Sequence, residues 1–361
     1  MTREKYNTKG SVLANVFIRH GLTEDMSSLL AARSNMALAE NTKSNYDTVK
    51  RNIQRCEVEL ECSLDFPWSI SQTLHFIAYL LFTRKVKSKT VTCQLSGVRM
   101  AHIELGFDNP NLRTPLINLI LRGTEHWDNI QKRLLGNKSR TPVTIDMMKV
   151  IKRKLIESKL KAFNKIIFWS ACTLIWNGSL RVHEALSRSQ TEFDPQTTLL
   201  IDDVQVINEN INKTQRSYIR ILIKSPKEDR VGKDMWLEIF GNDTFLCPLK
   251  AMSKYVNERA KLNTTNRNLP FFITKDLKGY TGKDFNMVLS ELTDDITRDS
   301  EYIIRSHSLR AGVPSELAKR GVDPLQIQGV GRWSSDAWKD YCKLGRKKRL
   351  NITHSLCSSI A

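Results

Sequence analysis

Eleven residues, Lys132 to Pro142 (KRLLGNKSRTP), mix basic side chains with Gly, Ser and Pro and suit an exposed connection between two folded bodies. A chain of 361 residues is long enough for two cores on either side of such a connection. Before it, residues 1–41 have little pattern and read as a flexible start. Residues 42–131 carry three helical signals. Tyr46, Val49, Ile53 and Cys56 fall on one face of a helix whose other positions include Lys43, Lys50, Arg51 and Arg55. Ser69 with Gln72 has capping-box spacing and opens a helix that turns Leu74, Ile77, Ala78 and Leu81 inward. A third places Val91, Leu95, Val98 and His102 on one side, leaves Lys89 and Arg99 elsewhere, and ends at Gly106.

Residues 143–361 form the second body, with a tail from about residue 345. Thr144 can cap a lysine-rich helix, and Ile166 to Trp176 reads as a buried helix interrupted by Asn177-Gly178 before Ser179 to Leu186 resumes it. Leu199 to Val206, Tyr218 to Lys224 and Met235 to Phe240 are rich in β-branched and aromatic residues, and Ile219, Ile221 and Ile223 alternate as one sheet face. Leu249, Met252 and Val256 make a helical stripe, and Thr281 with Asp284 opens a helix to about Asp295. The expected fold class is mainly α with a small antiparallel β-sheet, in two domains.

Lys and Arg total 56 against 38 Asp and Glu, and a formal charge of +18 points to a polyanionic partner. The longest apolar stretches, Phe76 to Phe82 and Ile166 to Trp176, are too short to cross a bilayer, so no membrane association is expected. The first residues lack the apolar run of a secretory signal, which suggests an intracellular protein. Seven cysteines show no Cys-x-x-Cys pair and read as free thiols; scattered histidines offer no zinc spacing, and neither metal nor cofactor is expected.

The most specific feature is His307-Ser308-Leu309-Arg310-Ala311-Gly312, followed by Gly331-Arg332-Trp333-Ser334-Ser335 and then Tyr341. With Arg181-Val182-His183-Glu184-Ala185-Leu186 upstream and Lys227 in a hairpin, the order resembles the tyrosine recombinase, or phage-integrase, family over about residues 42–345. The phrase Gly331 to Ala337 is similar to the Crypton and DIRS-like mobile-element recombinases of eukaryotes. Singly, each element is ordinary: a His-x-x-Arg arises by chance, Tyr341 suits a core, and Arg181 with Glu184 is a common helical ion pair. Jointly, their order and spacing are not.

The resemblance implies a helical core-binding domain and a catalytic domain that clamp double-stranded DNA, a tetramer in the synaptic complex, and action in the nucleus. It implies Tyr341 as nucleophile, and Arg181 and Arg310 as donors to the phosphate, where a planar guanidinium gives bidentate contacts that lysine cannot copy. His307 would hold the tyrosine proton, and Lys227, in Ser225-Pro226-Lys227-Glu228-Asp229, would protonate the leaving oxygen, with Lys224 and Lys233 as competitors. Trp333 would offer its indole N–H to a phosphate oxygen. Arg332 is the alternative at that position, because the Trp333-to-Tyr341 interval is one residue short of many family members. Glu184 would orient His307 or an arginine. Pro314 would kink or restart the helix that carries Arg310. Lys43, Lys50, Arg51, Arg55, Lys89 and Arg99 are candidate DNA contacts, and the basic and apolar tail is a candidate grip on a neighbouring protomer. Two rivals remain: a type IB topoisomerase, and a DNA-binding protein that keeps the fold without cutting.

Overall fold

The computed structural model describes residues 11–38, 40–107, 112–135, 139–211, 214–224, 234–262, 264, 266–298, 300–333 and 339. The chain divides into two units, Met1–Asn137 and Lys138–Ala361.

In the first unit the expected flexible start is helical from residue 11, as α1 (Ser11–Arg19) and α2 (Glu24–Met36), the latter capped by the Thr23 hydroxyl on the Met26 amide. Helix α3 (Glu40–Glu59) buries Val49, Ile53 and Cys56 as its periodicity predicts. Helix α4 (Ile70–Ala78) opens with the Ser69–Gln72 capping box and passes into a π-helical turn, Tyr79–Thr83. The inward face is one position off the expected stripe, because Phe76 packs between Trp68 and Tyr79: Thr73, Phe76, Ile77, Tyr79 and Leu80 are buried, Leu74 and Leu81 only partly, and Ala78 is exposed. Helix α5 (Ser88–Leu105) buries Val91, Leu95, Val98 and His102 and ends on Gly106 at φ 82°. It can lie close to α3 because Gly97 has no Cβ; one built there would meet Val49 Cγ2 at 2.5 Å. Helix α6 (Pro115–Leu134) starts on the Thr114 cap and extends into the stretch expected to be an exposed connection.

The remainder of that stretch is also partly ordered. Strand β1 (Ser139–Arg140) pairs in parallel with β5 (Tyr302–Ile303). Helix α7 (Ile145–Glu157) follows the Thr144 cap, and α8 (Ala162–Asn177) forms the centre of the second core, with every residue from Ile167 to Trp176 buried. Instead of resuming from Ser179, the helix gives way to a turn and the single turn α9 (Val182–Ala185). The sheet is an antiparallel meander of β2 (Val204–Ile211), β3 (Thr214–Ile223) and β4 (Met235–Phe240). The first strand starts later than its composition suggests, because Ile201–Asp203 is a 3-10 turn held by Asp203 on the Leu200 amide. Ile219, Ile221 and Ile223 face the core as expected.

Helix α10 (Pro248–Ala260) buries Ala251, Met252 and Tyr255, whereas Val256 is exposed. The face turns because Tyr255 is needed inside: its hydroxyl donates to Phe271 O at 2.9 Å and accepts from the Ile273 amide at 2.8 Å. Helix α11 (Gly282–Thr297) has the expected Thr281–Asp284 capping box. Three short helices complete the described chain: α12 (Ser306–Arg310), α13 (Gly312–Lys319) and α14 (Pro324–Gly331). No described helix is long and apolar enough to cross a membrane, and the described cysteines are free.

Candidate active site

Arg181 is set by the turn that ends α8. Ser179 adopts φ 45°, a left-handed backbone uncommon for a residue with a Cβ, and this turns its carbonyl toward the arginines. Arg181 then takes the N-cap position of α9, and Glu184 closes on it twice: Oε2 accepts the Arg181 amide at 2.8 Å, and Oε1 accepts Arg181 Nη1 at 2.8 Å. The spacing that looks like a plain helical ion pair is therefore also the cap of the helix.

His307 and Arg310 share α12. The helix breaks at Ala311, and α13 starts at Gly312, so Pro314 sits in the first turn of a new helix, where its missing N–H removes no intrahelical bond. The break is fixed by packing. A Cβ on Gly312 would meet Trp176 Nε1 at 2.2 Å and Val143 O at 2.6 Å, where Trp176 already donates to that carbonyl at 2.9 Å. The Val143 amide in turn donates to Ser308 O at 2.9 Å, tying α12 to the segment after β1.

Three consecutive residues at the end of α14 close on Arg310 and Glu184. Gly331 O accepts Arg310 Nη2 at 2.8 Å, while Ser179 O accepts Arg310 Nη1 at 2.6 Å. Arg332, at φ 54°, donates through Nη2 to Glu184 Oε2 at 2.9 Å and to Ser179 O at 3.2 Å. The Trp333 ring lies 5.5 Å from the Arg310 guanidinium and folds over Gly331, where a Cβ would strike it. Arg310 Nη1 also stands 3.8 Å from Glu184 Oε2, so one carboxylate faces three arginines from three segments. Arg310 is 2% exposed and Arg181 27%.

Burial alone would raise the Glu184 carboxyl, but Arg332 above all, with the Arg181 amide, Arg181 and Arg310, holds it below the usual carboxylate value. His307 retains an exposed side, yet its partial enclosure, and then Arg140, Arg310 and Arg181, pull its pKa below that of free imidazole. A neutral imidazole beside a cationic cluster is suited to accept a proton near an anion.

The structure thus brings together Arg181, Glu184, His307, Arg310 and Trp333. Of the two kinds of partner expected for Glu184, the contacts are to arginines, and Arg332, the alternative to Trp333, is one of them. Lys224 is committed elsewhere: its ammonium pairs with Asp203 at 2.5 Å and donates to Pro195 O at 2.8 Å. Lys227, Lys233, Tyr341 and the tail from about residue 345 lie outside the described residues.

Of the candidate DNA contacts, Lys50 pairs with Glu104 at 2.8 Å, Lys43 is half-buried, and Arg51, Arg55, Lys89 and Arg99 are exposed. Lys89 also lines a groove of about 750 Å³ with Arg113 and Arg122, two cations the sequence did not single out.

This mostly helical architecture with a three-stranded antiparallel sheet has the tyrosine recombinase catalytic-domain fold. The Tn1549 transposon integrase in complex with transposon right-end DNA superposes with a TM-score of 0.58 at 13% identity, covering 96% of this chain and 99% of that one. XerH site-specific recombinase bound to palindromic difH substrate gives 0.60 at 11% identity, covering 99% and 91%. A lambda integrase dimer bound to a COC′ core site gives 0.55 at 14%, covering 92% and 96%. No protein-family model and no curated protein matches the sequence.

Proposed function

We propose that the chain is a site-specific DNA recombinase, an enzyme that cleaves and rejoins duplex DNA through a 3′-phosphotyrosine at Tyr341. The observation that carries this reading is the gathering of Arg181, Arg310 and Arg332 about Glu184, with His307 close enough to Arg310 and Arg181 to feel their charge. In the proposed reaction the Tyr341 hydroxyl oxygen attacks phosphorus, its proton passes to neutral His307, and the bond to the 5′-oxygen breaks as Lys227 protonates that oxygen. The arginines balance charge on the non-bridging oxygens. A 5′-hydroxyl of a partner strand then attacks the phosphotyrosine and gives its proton to Lys227, and Tyr341 leaves with the proton held by His307. One phosphate ester replaces another at each step, so no ATP is required, and the arginines supply the positive charge that a metal would otherwise bring.

Two sites held by four protomers would exchange strands through a Holliday junction. The phrase Gly331 to Ala337 favours a mobile element of the Crypton or DIRS-like kind acting on nuclear DNA, and the net charge of +18 suits that partner. The test is a pool of nicked duplexes drawn from DNA flanking the protein's own coding sequence. Wild-type protein should form a denaturant-resistant adduct that chelator leaves intact and that Tyr341→Phe abolishes, with DNA affinity kept within about twofold because only a hydroxyl is removed. An adduct persisting in Tyr341→Phe would move the nucleophile elsewhere. Relaxation of supercoiled DNA without partner exchange would favour the topoisomerase reading, and binding without any adduct would leave a DNA-binding protein.

A further inference from the structure

Both acceptors that Arg332 uses are shared with the arginines beside it. Glu184 Oε2, 2.9 Å from Arg332 Nη2, also accepts the Arg181 amide and stands 3.8 Å from Arg310 Nη1. Ser179 O, 3.2 Å from Arg332 Nη2, is 2.6 Å from Arg310 Nη1. Arg332 holds a left-handed backbone at φ 54°, a conformation disfavoured for a residue with a Cβ, and the side chain it aims inward is only 12% exposed. Its flanking residues also engage Arg310, Gly331 through its carbonyl and Trp333 through its ring.

We propose that Arg332 is a positioning residue, which acts through the Glu184 carboxylate to hold the guanidinium groups of Arg181 and Arg310 in register for one phosphate. This rests on the recombinase reading above. The charge count favours it. Without Arg332, Glu184 has two guanidinium groups facing it, and the shared carbonyl of Ser179 keeps one of its two donors. Arg332 comes from the end of α14, on the chain segment leading to Tyr341, so the nucleophile's segment and the arginines meet at one carboxylate.

The direct alternative is that Arg332 itself touches the scissile phosphate, and its Nε, buried without an acceptor among the described residues, gives that alternative substance. A double-mutant cycle separates the two, because a residue that acts only through another has no effect once that other is neutralised. Full-length Arg332→Gln, Glu184→Gln and the double variant are compared on the nicked duplex that wild type attacks best. Arg332→Gln should slow adduct formation by at least about tenfold with DNA affinity kept within about twofold, an effect confined to the transition state. It should also raise the acid step of the rate-pH profile that belongs to Glu184, and leave the step set by His307 in place, since Arg181 and Arg310 are then the charged groups left facing Glu184 and its carboxyl protonates at higher pH. Arg332→Lys should restore part of the rate. The double variant should be no slower than Glu184→Gln.

If Arg332→Gln slows the Glu184→Gln protein by the same factor as it slows wild type, the positioning role is overturned in favour of direct contact. A Glu184 step that stays where it is in wild type overturns it as well. The same cycle is read by melting temperature: in the positioning role the double variant falls no further than the worse single variant, whereas additive decreases overturn the coupling. This second reading needs no cleavage. Absence of any wild-type adduct would therefore sink the recombinase reading while the melting cycle still decides whether Arg332 acts on Glu184.

Discussion

Arg310→Lys separates what the guanidinium does for the fold from what it does for the reaction. Arg310 spans two carbonyls from different segments, Ser179 O at 2.6 Å and Gly331 O at 2.8 Å, from a site 2% exposed. A lysine ammonium keeps the charge but not the fork, and it can hold one carbonyl while leaving the other buried and unpaired. Removing one charge-assisted hydrogen bond costs about 1.5–3 kcal/mol, and at about 2–4 °C per kcal/mol for a unit of this size the melting transition should fall by roughly 3–12 °C. A second cost falls on the reaction, where one fewer donor reaches the phosphate. The same 1.5–3 kcal/mol corresponds to a rate of adduct formation lower by about 10- to 100-fold, and Arg310→Ala should be slower still because the charge goes too. Differential scanning calorimetry and single-turnover trapping on nicked duplex read the two effects separately. An unchanged melting transition would mean that the two carbonyl bonds contribute nothing. An unchanged adduct rate in a stably folded Arg310→Lys protein would refute the phosphate-donor role.

Four other outcomes are expected. Gly312→Ala should destabilise the second unit by about 2–4 kcal/mol, because its Cβ cannot coexist with the Trp176–Val143 hydrogen bond; a melting temperature within about 1–2 °C of wild type would contradict this. Tyr255→Phe should cost about 1–3 kcal/mol by orphaning Phe271 O and the Ile273 amide, checked by denaturant unfolding. Neutralising Lys89 or Arg122 in the groove of the first unit should flatten the salt dependence of DNA binding by about 0.9 in log-log slope for each phosphate left without its cation, and an unchanged slope for both would place the footprint on another surface. His102 accepts the Trp68 amide on Nε2 at 3.0 Å, and its Nδ1 donates to Val98 O at 2.9 Å, so only the neutral ring fits, and burial lowers its pKa. The unfolded chain therefore binds the proton first: stability is intact above about pH 6.5 and falls by about 1.4 kcal/mol per unit as pH drops below it toward the folded value. Hydrogen-exchange protection of the Trp68 amide should decline over that window, and constant protection would exclude the mechanism.

What was legible in the sequence is what is decided locally. Ser69 with Gln72, Thr144, and Thr281 with Asp284 each mark a helix start because the cap and its amides lie within one turn. The alternation of Ile219, Ile221 and Ile223 marks a sheet face because the pleat has period two. Helix α2 was not legible, since it buries only Ser27 and Ala31 and leaves Met26, Leu29 and Met36 exposed, so no apolar stripe exists to be seen. The rotated faces of α4 and α10 follow from Phe76, packed between Trp68 and Tyr79, and from buried Tyr255, long-range choices that no periodicity encodes. At the site, His307 and Arg310 were readable as a motif. The part played by Arg332 was not, because it depends on a carboxylate 148 residues away. Its only trace is the Gly331-Arg332-Trp333 phrase itself.

The enclosure of Arg310 bears on which anions the pocket admits. Its guanidinium is engaged by two carbonyls, a nearby carboxylate and an aromatic ring. Inorganic phosphate or a mononucleotide would have to draw Arg310 from those partners with no more than its own few hydrogen bonds, and should compete poorly even at millimolar concentration. A long duplex touches the protein over many phosphates at once, and binding remote from the reacting atom can supply the free energy that opens the pocket. A basic protein in a cell is surrounded by small phosphorylated metabolites. Arg310, the most enclosed of the site's arginines, would stay out of their reach, and in the proposed reaction substrate size would become a condition for chemistry.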